Sequence, residues 1–152
     1  PKTTLSKEET TAMLIQACDA IIAAEPMLSE ADRNLGDGDH GLGMQRGMTA
    51  AKDKLNAAAP DSVEKAFSTV GMAMMSSMGG ASGAIFGTFF RNGGKALAGK
   101  DVLDAAGHEE GLLDQASGII SSAAFQSGHF QNFQMTKKAM TLSMTMVAVT
   151  EM

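Results

Sequence analysis

Apolar residues fall into a helical stripe near the start of the chain. Ala12, Met13, Leu14, Ile15, Ala17, Cys18, Ile21 and Ile22 supply the i, i+3 and i+4 positions of one buried face. Ser6-Lys7-Glu8-Glu9 precedes that stripe and has the form of a capping box, so a first helix should begin near residue 7. Pro26 suits the first turn of a short second helix over about 26–34. A loop is expected over 35–41, then a third helix over about 42–57 that ends ahead of Pro60. Asp61-Ser62-Val63-Glu64 reads as a second capping box, opening a helix over about 62–78. Val63, Ala66, Phe67, Val70, Met74 and Met78 form its apolar face.

That helix should stop at Gly79-Gly80-Ala81-Ser82-Gly83 and resume from Ala84 to Phe90, with Gly93, Gly94 and Gly99 breaking the pattern again. Asp101 is positioned to cap a helix over about 102–107, with two more expected over about 110–126 and 131–150. No internal repeat, linker tract or second domain interrupts the run. The expectation is therefore one domain over 1–152, all-α, an antiparallel helical bundle with short connections.

Composition supports helix. The chain has 13 Met, no Trp, no Tyr and seven Phe, while Ala and Leu are plentiful and β-branched residues are sparse. Hydrophobic residues make up 44% of 152, enough for a real core. The net charge of −5, without a basic run, argues against a nucleic-acid partner. No signal-peptide pattern opens the chain, and no apolar run reaches the roughly 20 residues that span a bilayer. The lone Cys18 offers no disulfide framework; it reads as a buried, inert thiol and fits a reducing cytoplasm. A start at Pro1 implies an initiator Met that has been removed or is not included.

Charge patterning changes the picture most at residues 32–41. Asp32, Asp37 and Asp39 place three carboxylates within eight residues, and glycines at 36, 38 and 41 let the backbone curl around them. Their mutual repulsion calls for an offset. A hard divalent cation with oxygen ligands supplies one, and magnesium holding a nucleotide phosphate is a common biological case. The set has no Cys and a single His40, which argues against zinc. It also lacks the ligand spacing of an EF-hand. The bland alternative is a solvated turn whose aspartates cap helices.

Gly79-Gly80-Ala81-Ser82-Gly83 is the complementary feature. Between two apolar helices it would expose backbone N–H groups at a helix N-terminus, with the Ser82 hydroxyl as a further donor, and so suit an anion. Close helix packing would ask for the same small residues. Arg46, one turn into the third helix, is in reach of a phosphate or else pairs helices. Thr88 reads as packing or a back-bonded hydroxyl.

Leu35-Gly36-Asp37-Gly38-Asp39-His40-Gly41-Leu42-Gly43-Met44-Gln45-Arg46-Gly47 resembles the signature of the dihydroxyacetone kinase L subunit, which is also the C-terminal nucleotide-binding domain of fused dihydroxyacetone kinases. The stretch from Gly79 to Phe90 resembles that family's phosphate-side loop and the helix after it. The resemblance is strongest over residues 6–92. It implies an all-helical barrel that binds ADP or ATP through two magnesium ions held by Asp32, Asp37 and Asp39. His40, Gly41, Leu42 and Gly43 match the nucleotide-contacting segment. Gly79, Gly80, Ala81, Ser82 and Gly83 match the phosphate loop. It further implies phosphoryl transfer to a short ketose held on a partner subunit. The phosphoryl donor is ATP, or a phosphotransferase-system protein that draws on phosphoenolpyruvate.

The chain departs from the family in two ways. Gly43 stands where the family usually has Asn, which removes an amide near the phosphates or metal. A family Gly-Asp-Lys-Thr-Met loop and an Arg-rich segment with Asp-Pro-Gly find no match after residue 100. The C-terminal part therefore reads as divergent or incomplete. His108 and His129 lie in that part and should face solvent. Met135, Met140, Met144, Met146 and Met152 suit core packing, or an exposed face for homodimerisation or partner docking, better than a metal site. The resulting expectation is a cytoplasmic phosphotransferase subunit with no side-chain nucleophile. Two alternatives stand beside it: a non-catalytic nucleotide-binding or regulatory homologue with an incomplete pocket, and a calcium-binding helical module.

Overall fold

A computed structural model describes residues 4–34 and 36–104. Helix α1 spans Lys7–Ala23, α2 Glu25–Arg33, α3 His40–Ala57, α4 Val63–Ser77 and α5 Gly80–Ala96. Two short strands, β1 (Thr4–Leu5) and β2 (Leu103–Asp104), pair antiparallel, with Thr4 opposite Asp104. The all-α antiparallel bundle expected from the sequence is the fold. The helices expected over 110–126 and 131–150, His108, His129 and the Met-rich tail lie outside the described residues.

The first helix starts as its capping box requires. The Ser6 hydroxyl accepts from Glu9 N–H at 3.2 Å, and the Glu9 carboxylate accepts from Ser6 N–H at 2.8 Å. Pro26 sits in the first turn of α2, which leaves α1 at a 51° bend. Both helices pack against α3, and Asp19 on α1 pairs with Lys52 on α3 at 2.6 Å. Among the described residues, no single helix is long and apolar enough to cross a membrane. The core is shared by α1, α3, α4 and α5 and contains Met13, Ile21, Met44, Met48, Phe67, Met74, Phe86 and Phe90. Cys18 lies within it, and burial pushes its thiol pKa up to about 12, as an inert core cysteine requires.

Four sequence expectations need correction. Helix α3 begins at His40 rather than 42. Ser62 alone caps α4, accepting from Lys65 N–H at 3.1 Å, so no box centred on Asp61 forms there. Gly93 and Gly94 do not break α5, because Gly94 is where that helix lies backbone to backbone on α4: a methyl group there would sit 2.9 Å from the Glu64 carbonyl oxygen. The helix expected to begin near residue 102 is replaced by β2, whose partner strand stands about a hundred residues earlier in the sequence. Such pairing leaves no local signal.

Candidate metal and phosphate site

The first two turns of α3 link the α2–α3 connection to the α4–α5 hairpin. His40, the first residue of α3, stacks at a tilt on Phe86 of α5 with ring centroids 6.0 Å apart. Two turns along α3, the Arg46 guanidinium reaches the C-terminus of α4. Its Nε donates to the Ser77 carbonyl oxygen at 3.0 Å and its Nη2 to that of Met78 at 3.4 Å. Of the two readings left open for Arg46, helix pairing is the one that this geometry satisfies.

The acidic turn is organised by one buried carboxylate. Asp32 is 5% exposed in the last turn of α2, and its Oδ2 accepts from Gly38 N–H at 3.0 Å and His40 N–H at 3.2 Å. The second bond caps α3 from a neighbouring helix. Asp39 stands at the N-cap position yet makes no capping bond, so its carboxylate remains in the turn. Asp37 Oδ1 accepts from Asp39 N–H at 3.3 Å. The curl uses Gly38 at φ +80°, a left-handed conformation that disfavours side chains. Gly41 allows α3 to lie directly on α2, since a Cβ there would overlap the Glu25 carbonyl oxygen and the Ser29 hydroxyl. The Ser29 hydroxyl is fixed in turn by donating to the Glu25 carboxylate at 2.7 Å.

One carboxylate oxygen from each of Asp32, Asp37 and Asp39 lies within 4.8 Å of the others. Oxygens on opposite sides of a magnesium ion are about 4 Å apart, so this set fits one shared hard cation or a pair of them. Asp37 and Asp39 are exposed, which leaves room for phosphate oxygens and water. The crowding has an electrostatic signature: the Asp39 carboxyl is held above its usual pKa. The hydrogen bond with Asp37 is the main cause, followed by desolvation and the negative charges of Asp37 and Asp32. The all-oxygen donor set and its unneutralised repulsion therefore both suit a divalent cation.

The glycine turn is tighter than the sequence implies. Helix α4 ends at Ser77 with Met78 as its C-cap, and α5 begins at Gly80, so only two residues separate the helices. Gly80 to Gly83 form the first turn of α5 and are not a loop. Gly79 (φ +70°, ψ 172°) adopts a backbone conformation essentially restricted to glycine, and no side chain caps the helix. The first N–H groups of α5, at Gly80, Ala81 and Ser82, have no acceptor within the helix. The space beside Gly79 and Gly80 is open: a Cβ there would meet nothing within 4 Å. Gly83 is packed instead, 3.2 Å from Met78 Cβ by the same measure.

The remaining candidates divide similarly. His40 and Gly41 are buried at the start of α3, whereas Leu42 is 54% exposed. Gly43 has open space where a Cβ would stand, so a side chain can leave the backbone there without a clash. The sequence reading missed Ser29 and Glu25, because their part in the site depends on contact with Gly41 rather than on any local motif.

The fold and site define an all-α domain with an acidic turn and an uncapped glycine-led helix. A family model described as the DAK2 domain matches residues 34–147. The chain is 34% identical over 124 residues to the PEP-dependent dihydroxyacetone kinase, ADP-binding subunit DhaL, of Escherichia coli (strain K12), a match that covers 82% of this chain and 59% of that relative. It is 42% identical over 81 residues to the PEP-dependent dihydroxyacetone kinase 1, ADP-binding subunit DhaL, of Listeria innocua serovar 6a, covering 53% and 40% respectively. A triokinase/FMN cyclase of Homo sapiens is 31% identical over 94 residues, 61% of this chain and 16% of the human protein. The chain belongs to the DAK2 domain family, and its likeness to dihydroxyacetone kinase L subunits holds. The match extends past residue 92 into the segment that the motif reading left unassigned. The chain spans 59% of the length of the Escherichia coli relative.

Proposed function

We propose that this chain is the nucleotide-binding part of a dihydroxyacetone-type kinase. It binds ADP or ATP with two magnesium ions and serves phosphoryl transfer to a short ketose held on a partner subunit. The observation that carries the reading is the gathering of Asp32, Asp37 and Asp39 at the start of α3, the helix whose Arg46 reaches the turn before the uncapped start of α5. Relatives named as ADP-binding subunits of PEP-dependent and PTS-dependent dihydroxyacetone kinases support it. On this reading the phosphoryl donor to the bound nucleotide is a phosphotransferase-system protein, and the location is cytoplasmic.

Each residue has a role that its position supports. Asp32 uses Oδ2 to hold the turn and, with Asp37 and Asp39 from the exposed side, would supply the ligand set. The N–H groups of Gly80, Ala81 and Ser82 would orient the phosphates, with the Ser82 hydroxyl as an added donor. His40, Gly41, Leu42 and Gly43 would border the nucleotide, with exposed Leu42 offering an apolar surface. Magnesium, when bound, would supply neutralisation of the charge on the phosphate oxygens. No residue here acts as a nucleophile; the protein contributes position and charge.

The test has two arms. ADP should raise the melting temperature only with magnesium present. Phosphorylation of dihydroxyacetone should then appear when a ketose-binding subunit and a phosphoryl donor are supplied. Stabilisation by calcium alone, with no response to nucleotide, would discard the reading.

A further inference from the structure

We propose that Arg46 is a positioning residue of the phosphate cradle: its guanidinium holds the last carbonyls of α4 and screens their charge from the first turn of α5. The inference rests on the reading of that turn as the diphosphate-binding element.

The argument begins with the shortness of the α4–α5 turn. Only Met78 and Gly79 separate the two helices. The carbonyl end of α4, carrying roughly half a negative charge, therefore adjoins the N–H end of α5, carrying roughly half a positive one. Left alone, two such ends largely cancel, and the cradle loses its attraction for an anion. Arg46 donates to both Ser77 and Met78 carbonyl oxygens, the last ones before the turn. A guanidinium there neutralises the α4 end and leaves the α5 end unopposed.

Packing fixes the same contact. Gly47, next to Arg46, lies close against the Met78 side chain: a Cβ there would be 2.7 Å from its Sδ. Met78 in turn backs Gly83 of α5. The start of α5 is thus referenced to α3, the helix that begins at the acidic turn. Arg46 joins the cation-holding and anion-holding halves through one side chain. Arg46 is itself exposed, so water screens its charge and its effect on binding should be moderate.

The test uses the 152-residue chain and calorimetric titration with ADP in magnesium at low and at physiological ionic strength. Arg46→Gln should weaken ADP binding about tenfold at low salt, and the deficit should shrink as salt rises. Arg46→Lys, which keeps the charge, should stay within about threefold of the unsubstituted chain. Equal affinity in all three proteins overturns the proposal. So does a loss that is independent of salt and not rescued by Lys, which would mark a purely structural role. Arg46→Met, which keeps the aliphatic stem, is the second neutral variant; unfolding of both neutral variants would likewise overturn it. If the unsubstituted chain fails to bind ADP, the proposed function falls first, and that result is distinct from any difference among the variants.

Discussion

The acidic turn and the glycine turn, linked through the start of α3, are built on opposite principles. Side chains organise the acidic turn: Asp32, buried in α2, holds the backbone of Gly38 and His40 and draws Asp37 and Asp39 into its neighbourhood. Backbone conformation organises the glycine turn, where Gly79 and Gly80 take positive φ and no side chain caps α5. The first is pre-shaped but electrostatically loaded, with repulsion that a cation would relieve. The second is open and neutral in its side chains, with its positive end supplied by the peptide groups. On the proposed reading, the contrast is how a small domain would meet the two needs of a polyphosphate with few charged residues.

Substitutions can break this contrast, starting with the largest effect. Asp32→Ala removes the acceptor for two backbone N–H groups and one member of the carboxylate cluster. It should cost about 2–3 kcal/mol in urea denaturation, and the magnesium-dependent rise in melting temperature with ADP should vanish. Retention of that rise would remove Asp32 from the metal set. Gly79→Ala meets no neighbouring atom, so its cost is backbone strain alone, about 1–3 kcal/mol. It should weaken ADP binding while leaving the acidic turn intact, and an unchanged melting curve would show that the turn relaxes freely.

Asp39→Asn tests the loaded side. In the folded chain the Asp39 pKa lies above its ordinary value of 3.8, mainly because of Asp37. The folded state then holds the proton more tightly than the unfolded state. This contribution to stability is present below the ordinary aspartate range and is lost as pH rises through the elevated folded value. Melting curves recorded across that window in the presence of a chelator should lose part of their pH dependence in Asp39→Asn. A curve parallel to the unsubstituted chain would contradict the repulsion. The smallest effect belongs to Gly43→Asn. The open space beside Gly43 lets a side chain leave the backbone without a clash, helix propensity improves by a few tenths of a kcal/mol, and tighter ADP binding in magnesium is the expected readout.

Chemistry was more legible in the sequence than geometry. Ser6, Glu9 and Pro26 announce helix ends through local bonds and fixed φ, so α1 and α2 were readable. Three aspartates spaced around glycines pointed to a carboxylate cluster, and the fold does bring them together. Several errors share one cause: Gly41, Gly80 and Gly94 look like helix breakers but serve as places where helices touch or begin. Whether a glycine breaks a helix or seats a neighbour depends on a contact distant in sequence, as with Gly94 against Glu64 and Gly41 against Ser29. The pairing of Leu5 with Leu103 and the choice of Ser77 and Met78 by Arg46 are likewise non-local and left no trace in the pattern.

The α4–α5 hairpin shares this close approach along its length. A methyl group on Gly71 would lie 2.6 Å from the Gly87 carbonyl oxygen, and one on Gly87 would lie 2.9 Å from that of Gly71. At those two positions there is no side chain to trim, and even alanine adds a methyl group that the facing backbone leaves no room for. Enlargement is the informative direction: adding single carbons along the seam would reveal how tightly the two rods are fused.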